Sequence, residues 1–217
     1  MFIMLPEFKI AFEKARLVNE KLHCISERFV ALPDIVDAVK ELSGYDIRTS
    51  FLDFTTLQTA DNNSNEDNLV LKQAGAMLGT IVQGNQKKAQ IVVNEVKSAQ
   101  QKRFATVHEL GHLITSIPNY SYVIDNDGAF TLSTQINADI TFISEEDCAS
   151  SDFLKAEQVA NIFALLVLIP DEITIQKMTA EGPDALAEKY GVTPEMLYSR
   201  MLITCLLYTS DAADDKA

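Results

Sequence analysis

The feature that most constrains this chain is a single change of period between residues 76 and 117. "AMLGTIVQ" and "AQIVVNEV" are two β-rich runs separated by "GNQKK", where Gly84-Asn85 supplies the turn of a hairpin. From about Ala99 to Ile117 the apolar residues then fall at Phe104, Val107, Leu110, Ile114 and Ile117, a helical spacing. The helix therefore follows a hairpin directly. The middle of that helix reads "HELGH", His108 to His112.

Two histidines four apart on a helix are about 40° apart around its axis, so both rings leave from one face and can reach one ion. A catalytic zinc site needs three protein ligands and a place for water. Glu109 lies at the edge of the same face, offset for ligation but placed to take a proton from such a water. A downstream histidine cannot be the third ligand: the positions that would need Gly and His hold Thr115 and Pro118. His23, in a predicted N-terminal helix, suits a structural role better.

A carboxylate from a second helix is the remaining solution, and Glu157 is the leading candidate. It opens "EQVANIFALLVLIP", a helix with a nearly all-apolar interior, where a carboxylate needs a partner. Asn161, four residues on, shares its face and could support a ligand. Glu145, Glu146 and Asp147 compete for the ligand role, although their clustering also suits a solvated loop.

Elsewhere, residues 7 to 24 carry a helical apolar stripe, and a short helix follows from Pro33 to just before Gly44. "YDIRTSFLDF" reads as a strand and "ADNNSNEDN" as a surface loop. Residues 120 to 142 alternate around the turn signal "DNDG". A helix capped by Ser151 or Asp152 runs to Ile169 and is ended by Pro170, and further short helices follow. The terminal "CLLYTSDAAD" back-translates into a transposon-type sequencing adapter, so residues 205–217 are expected to be a non-native tail without functional weight.

The formal charge of −13 argues against tight non-specific nucleic-acid binding, despite Lys87, Lys88, Lys97, Lys102 and Arg103 around the motif helix. "LAEKYGVTPEMLYSRM" has the outline of two short helices around a glycine turn. Within it Glu188 and Glu195 balance Lys189 and Arg200, and Asp184 lies just before it, so it is not a basic reading head. The three cysteines, Cys24, Cys148 and Cys205, form no disulfide framework or CxxC pair. The longest apolar run is too short to span a bilayer, and the N-terminus lacks a secretory pattern; a cytoplasmic location is expected.

"QKRFATVHELGHLI" followed by "EQVANIFALLVLIP" resembles the ImmA/IrrE family of zinc metallopeptidases. The likeness extends from about residue 7 to 204 through "AQIVVNE" and "LAEKYGVTPEMLYSRM". It implies a zincin-like α+β fold, with a small twisted sheet on the HExxH helix, a second ligand-bearing helix and short C-terminal helices. It also implies one zinc ion bound by His108, His112 and Glu157, with Glu109 as general base. The metallopeptidase domain would cover residues 1–170 with a strand-rich insert at 120–152, and residues 171–204 would extend it. The insert departs from the family pattern by lengthening the interval from His112 to Glu157. The implied substrate is a regulatory protein, notably a helix-turn-helix repressor of a mobile element or stress response, with no direct nucleic-acid or membrane partner. The alternative is a non-catalytic module that sequesters such a repressor around a structural zinc. Tyr120, Tyr122 and Tyr198 are the tyrosines considered for stabilising an oxyanion.

Overall fold

A computed structural model describes residues 6–22, 29–56, 75–83, 85–115, 123–124, 130–131 and 152–214. The expected hairpin forms from β2 (Ala76–Gln83) and β3 (Gln86–Asn94), antiparallel with Gln83 opposite Gln86. The second strand starts three residues before Ala89. Its polar Gln86, Lys87 and Lys88 stay exposed while completing the ladder near the turn.

An earlier strand, β1 (Asp46–Leu52), pairs parallel with the other side of β3, giving the order β1-β3-β2. The strand leading into the motif helix is therefore central and has no free edge. Residues 91 to 94 of β3 are all buried, as a strand covered on both faces requires. A second, two-stranded sheet joins β4 (Val123–Ile124) to β5 (Phe130–Thr131), and β4 approaches β2. The rest of the expected insert lies outside the described residues.

Seven helices complete a mixed α+β arrangement among the described residues. In α1 (Pro6–Lys21), Ala11, Ala15 and Val18 form a buried stripe against the later apolar helix. α2 (Leu32–Ser43) carries Pro33 in its first turn, and Gly44 closes it by donating its N–H to the Lys40 carbonyl. α3 (Ala99–Thr115) packs on β2 and β3. Its start is set by a reciprocal cap. The Ser98 N–H donates to Gln101 Oε1 at 3.1 Å, and the Gln101 N–H donates back to Ser98 Oγ at 3.2 Å.

The central element is α4 (Asp152–Leu168), flanked by α1, α3 and the last helix. This explains why the stretch after Asn161 lacks a polar stripe: a helix covered from several directions there has no solvent face to mark. Val159, Ala160, Phe163, Ala164, Val167 and Ile169 are completely buried.

After Pro170 come α5 (Ile175–Glu181), α6 (Pro183–Tyr190) and α7 (Pro194–Asp214). Two polar contacts tie them to the end of α4. The Tyr190 hydroxyl donates to Asp171 Oδ2 at 2.5 Å, and Arg200 Nε donates to the Ile169 carbonyl at 3.0 Å. One hydrophobic cluster runs from Ala11 to Ile203, so the C-terminal helices share the core of the motif helix. The last helix is not short: it spans 21 residues and crosses position 205 without a break. Nothing after Pro194 in that span is glycine or proline, the residues that ordinarily stop a helix. Among the described residues, no helix is long and apolar enough to cross a membrane.

The basic residues flanking the motif helix do not form one face. Arg103 is turned inward and lies 4.2 Å from the centre of the Phe29 ring. Burial lowers its pKa to about 10.

Candidate metal centre

The site arises where α3 meets α4, and the residue that permits the meeting is Gly111. A Cβ there would lie 3.0 Å from Phe163 Cδ1, 3.1 Å from Ala160 Cα and 3.2 Å from the Ala160 carbonyl oxygen. With no side chain at 111, the α4 backbone comes close enough for a carboxylate one turn before Ala160 to reach the histidines. The glycine of HELGH thus has a packing reason. Its signal in the sequence was a glycine inside a helix, matched by the small residues Ala160 and Ala164 on the other helix.

His108, His112 and Glu157 converge. The two Nε2 atoms are 3.0 Å apart, His108 Nε2 is 3.1 Å from Glu157 Oε2, and His112 Nε2 is 3.1 Å from Glu157 Oε1. The rings stand nearly perpendicular, 82° between planes, with centroids 4.7 Å apart. On the other edge of His108, Nδ1 is 2.9 Å from Asn161 Oδ1. Phe104, one turn before His108, is tilted against the same ring with centroids 6.3 Å apart. These side chains are largely sheltered: His108 is 13% exposed, His112 6% and Glu157 32%.

The electrostatics follow from that shelter. Burial works to raise the Glu157 pKa, yet the hydrogen bonds and charges of both histidines overcome it and hold the carboxyl far below its ordinary range. Burial disfavours the charged form of His108. The hydrogen bond and charge of Glu157, the charge of Glu109 and the Asn161 contact outweigh it and raise the ring's pKa. Glu109 behaves oppositely to Glu157. Burial pushes it up, the two histidines pull it down, the Glu157 charge pushes again, and the net direction is upward. The two carboxyls are thus pushed in opposite directions, Glu157 down by its histidine contacts and Glu109 up by burial.

The three converging side chains form a group that could hold a metal ion. Two donors about 2.05 Å from one ion at the tetrahedral angle stand about 3.3 Å apart. The separations of 3.0, 3.1 and 3.1 Å between the three donor atoms match that edge with little adjustment. Two imidazoles and one carboxylate also suit a borderline divalent cation.

Glu157 is thus the carboxylate brought to the histidine pair, and Asn161 accompanies it. Tyr198 is half-exposed on α7. His23, Tyr120, Tyr122, Glu145, Glu146 and Asp147 lie outside the described residues. Comparison of the chain with protein-family models, curated proteins and solved structures returned no match.

Proposed function

We propose that this chain is a zinc-dependent endopeptidase with a zincin-like fold, of the ImmA/IrrE type that its paired motifs resemble. The observation that carries the reading is the convergence of His108, His112 and Glu157 beside Glu109, from two helices separated in sequence. His108, His112 and Glu157 would hold the ion, which supplies Lewis acidity and lowers the pKa of water at the site.

Glu109 takes the proton. Its place beside His108 on the motif helix suits it to accept that proton and to return it to the departing amine. β2 is the outer strand of the three-stranded sheet among the described residues and packs on α3, which makes the surface beside the motif helix a seat for an extended peptide segment. The substrate class, a helix-turn-helix repressor or similar regulatory protein, rests on the resemblance alone.

The test is to load the purified chain with zinc and incubate it with the protein encoded beside its gene. Mass spectrometry should then find fragments that disappear with chelator and with Glu109→Gln. A partner that binds tightly yet stays intact would favour the sequestering module instead. Unchanged cleavage by Glu109→Gln would overturn the general-base role.

A further inference from the structure

The His108 ring is held from both edges, and the second hold defines a role for Asn161. We infer that Asn161 is a positioning residue that fixes His108 as the Nδ1–H tautomer and so aims its Nε2 lone pair at the metal centre. This inference rests on the reading of the His-His-Glu group as a metal site.

His108 Nε2 faces His112 Nε2 at 3.0 Å and Glu157 Oε2 at 3.1 Å, so Nε2 is the nitrogen presented to the shared centre. A neutral imidazole carries one proton, and a nitrogen that donates its lone pair to a metal cannot carry it. The proton must then sit on Nδ1, whose neighbour at 2.9 Å is Asn161 Oδ1, a group that can only accept. The match is specific to one tautomer. The opposite tautomer would leave Nδ1 and Oδ1 as two acceptors facing each other.

The placement is built into the helix contact. Asn161 follows Ala160, whose backbone lies against Gly111, and it stands one turn beyond Glu157 on the same face of α4. One helix face therefore delivers both the anionic ligand and the orienting acceptor. Because the acceptor is an uncharged amide, it orients the ring without adding a second negative charge. A carboxylate in its place would orient equally and strengthen cation binding.

The experiment uses the full chain with zinc alone as the probe. Zinc affinity is measured by chelator competition, and ring protonation by nitrogen-15 NMR of His108. In the zinc-loaded wild type, the expected signature is a protonated, slowly exchanging Nδ1 and a coordinated Nε2. Asn161→Ala should lose that slow exchange and bind zinc about 10- to 100-fold more weakly. Asn161→Asp should restore the protonated Nδ1 signal and bind at least as tightly as wild type. A role confined to packing would weaken both variants alike and leave the tautomer unchanged, and that result overturns the inference. So does wild-type affinity in a folded Asn161→Ala. A wild type that binds no zinc overturns the metal reading together with this one, whereas zinc binding indifferent to residue 161 overturns this one alone.

Discussion

Gly111 and Ala160 face each other where the helices carrying the His-His-Glu group meet, with only 3.1 Å between the Ala160 Cα and the place a Gly111 Cβ would occupy. A helix-interior glycine costs roughly 1 kcal/mol against alanine, so Gly111→Ala would strengthen an isolated helix. Here the added methyl meets backbone on α4, which cannot yield without carrying Glu157 away from the histidines. Overpacking of this kind costs about 1–3 kcal/mol, enough to cancel the propensity gain. The expected outcome is a melting temperature near or below wild type and a zinc affinity at least about tenfold lower, as loss of ligand orientation produces. Tighter zinc binding by the alanine variant would contradict this account of the site.

Removal of the Glu157 carboxylate should be more severe. Glu157→Ala takes away the group that both histidines contact at 3.1 Å, and with it the main influence raising the His108 pKa. Zinc affinity is expected to fall by more than about 100-fold, beyond the effect of losing an orienting partner. Elemental analysis after dialysis, with circular dichroism to verify folding, reads this directly.

Glu109→Gln separates binding from chemistry. The residue is no ligand in the geometry, so the variant should retain stoichiometric zinc. Peptide-bond cleavage should fall by about 10²–10⁴-fold, the usual contribution of a positioned acid-base group. Measuring metal content and turnover on the same preparation makes the two claims independently testable.

The pH response of the metal-free chain has a defined sign. Glu157 is depressed below its ordinary 4.5, so its contribution is present above that value and is lost as pH falls through the lower folded pKa. His108 is raised above 6.5, so its contribution is complete below 6.5 and is lost as pH rises through the folded value. Glu109, raised above 4.5, is also better accommodated as the neutral acid and loses its contribution as pH rises. These groups place their combined maximum on the acidic side of neutrality, with decline on both flanks. Zinc reverses the trend between pH 5 and 8, because the metal competes with protons for the histidines. Thermal melts with and without zinc across pH 4–9 should show the difference in melting temperature growing as pH rises. A difference that shrinks would refute the assignment.

Gly191→Ala provides a control at a position that contributes no atom to the His-His-Glu group. Its backbone is left-handed with φ of 64°, and a Cβ would stand 2.5 Å from Phe29 Cε2. The half-exposed Phe29 ring can swing aside, at the cost of its contact with Arg103. A left-handed non-glycine residue costs about 1–2 kcal/mol, and a destabilisation of that order is expected in denaturant titrations. Zinc affinity should remain at the wild-type value.

Much of this organisation was legible in the residues. The period change placed a hairpin before a helix, the i,i+4 histidines identified a shared face, and the isolated Glu157 before an apolar helix marked a carboxylate needing a partner. These are local signals: each depends on spacing within one element, which backbone geometry translates directly into direction. The Ser98–Gln101 cap belongs to the same class, since its S-x-x-Q spacing was available to read.

Tertiary structure alone decided what depends on two elements meeting. The parallel pairing of β1 made β3 central, a relation that no local pattern encodes because the partner strand lies about forty residues upstream. Glu157, already the leading carboxylate from its place in the sequence, became a contact of both histidines only when Gly111 let α4 approach α3. The sequence determined which side chains could serve a metal; the distance between helix backbones determined which of them reach a common point.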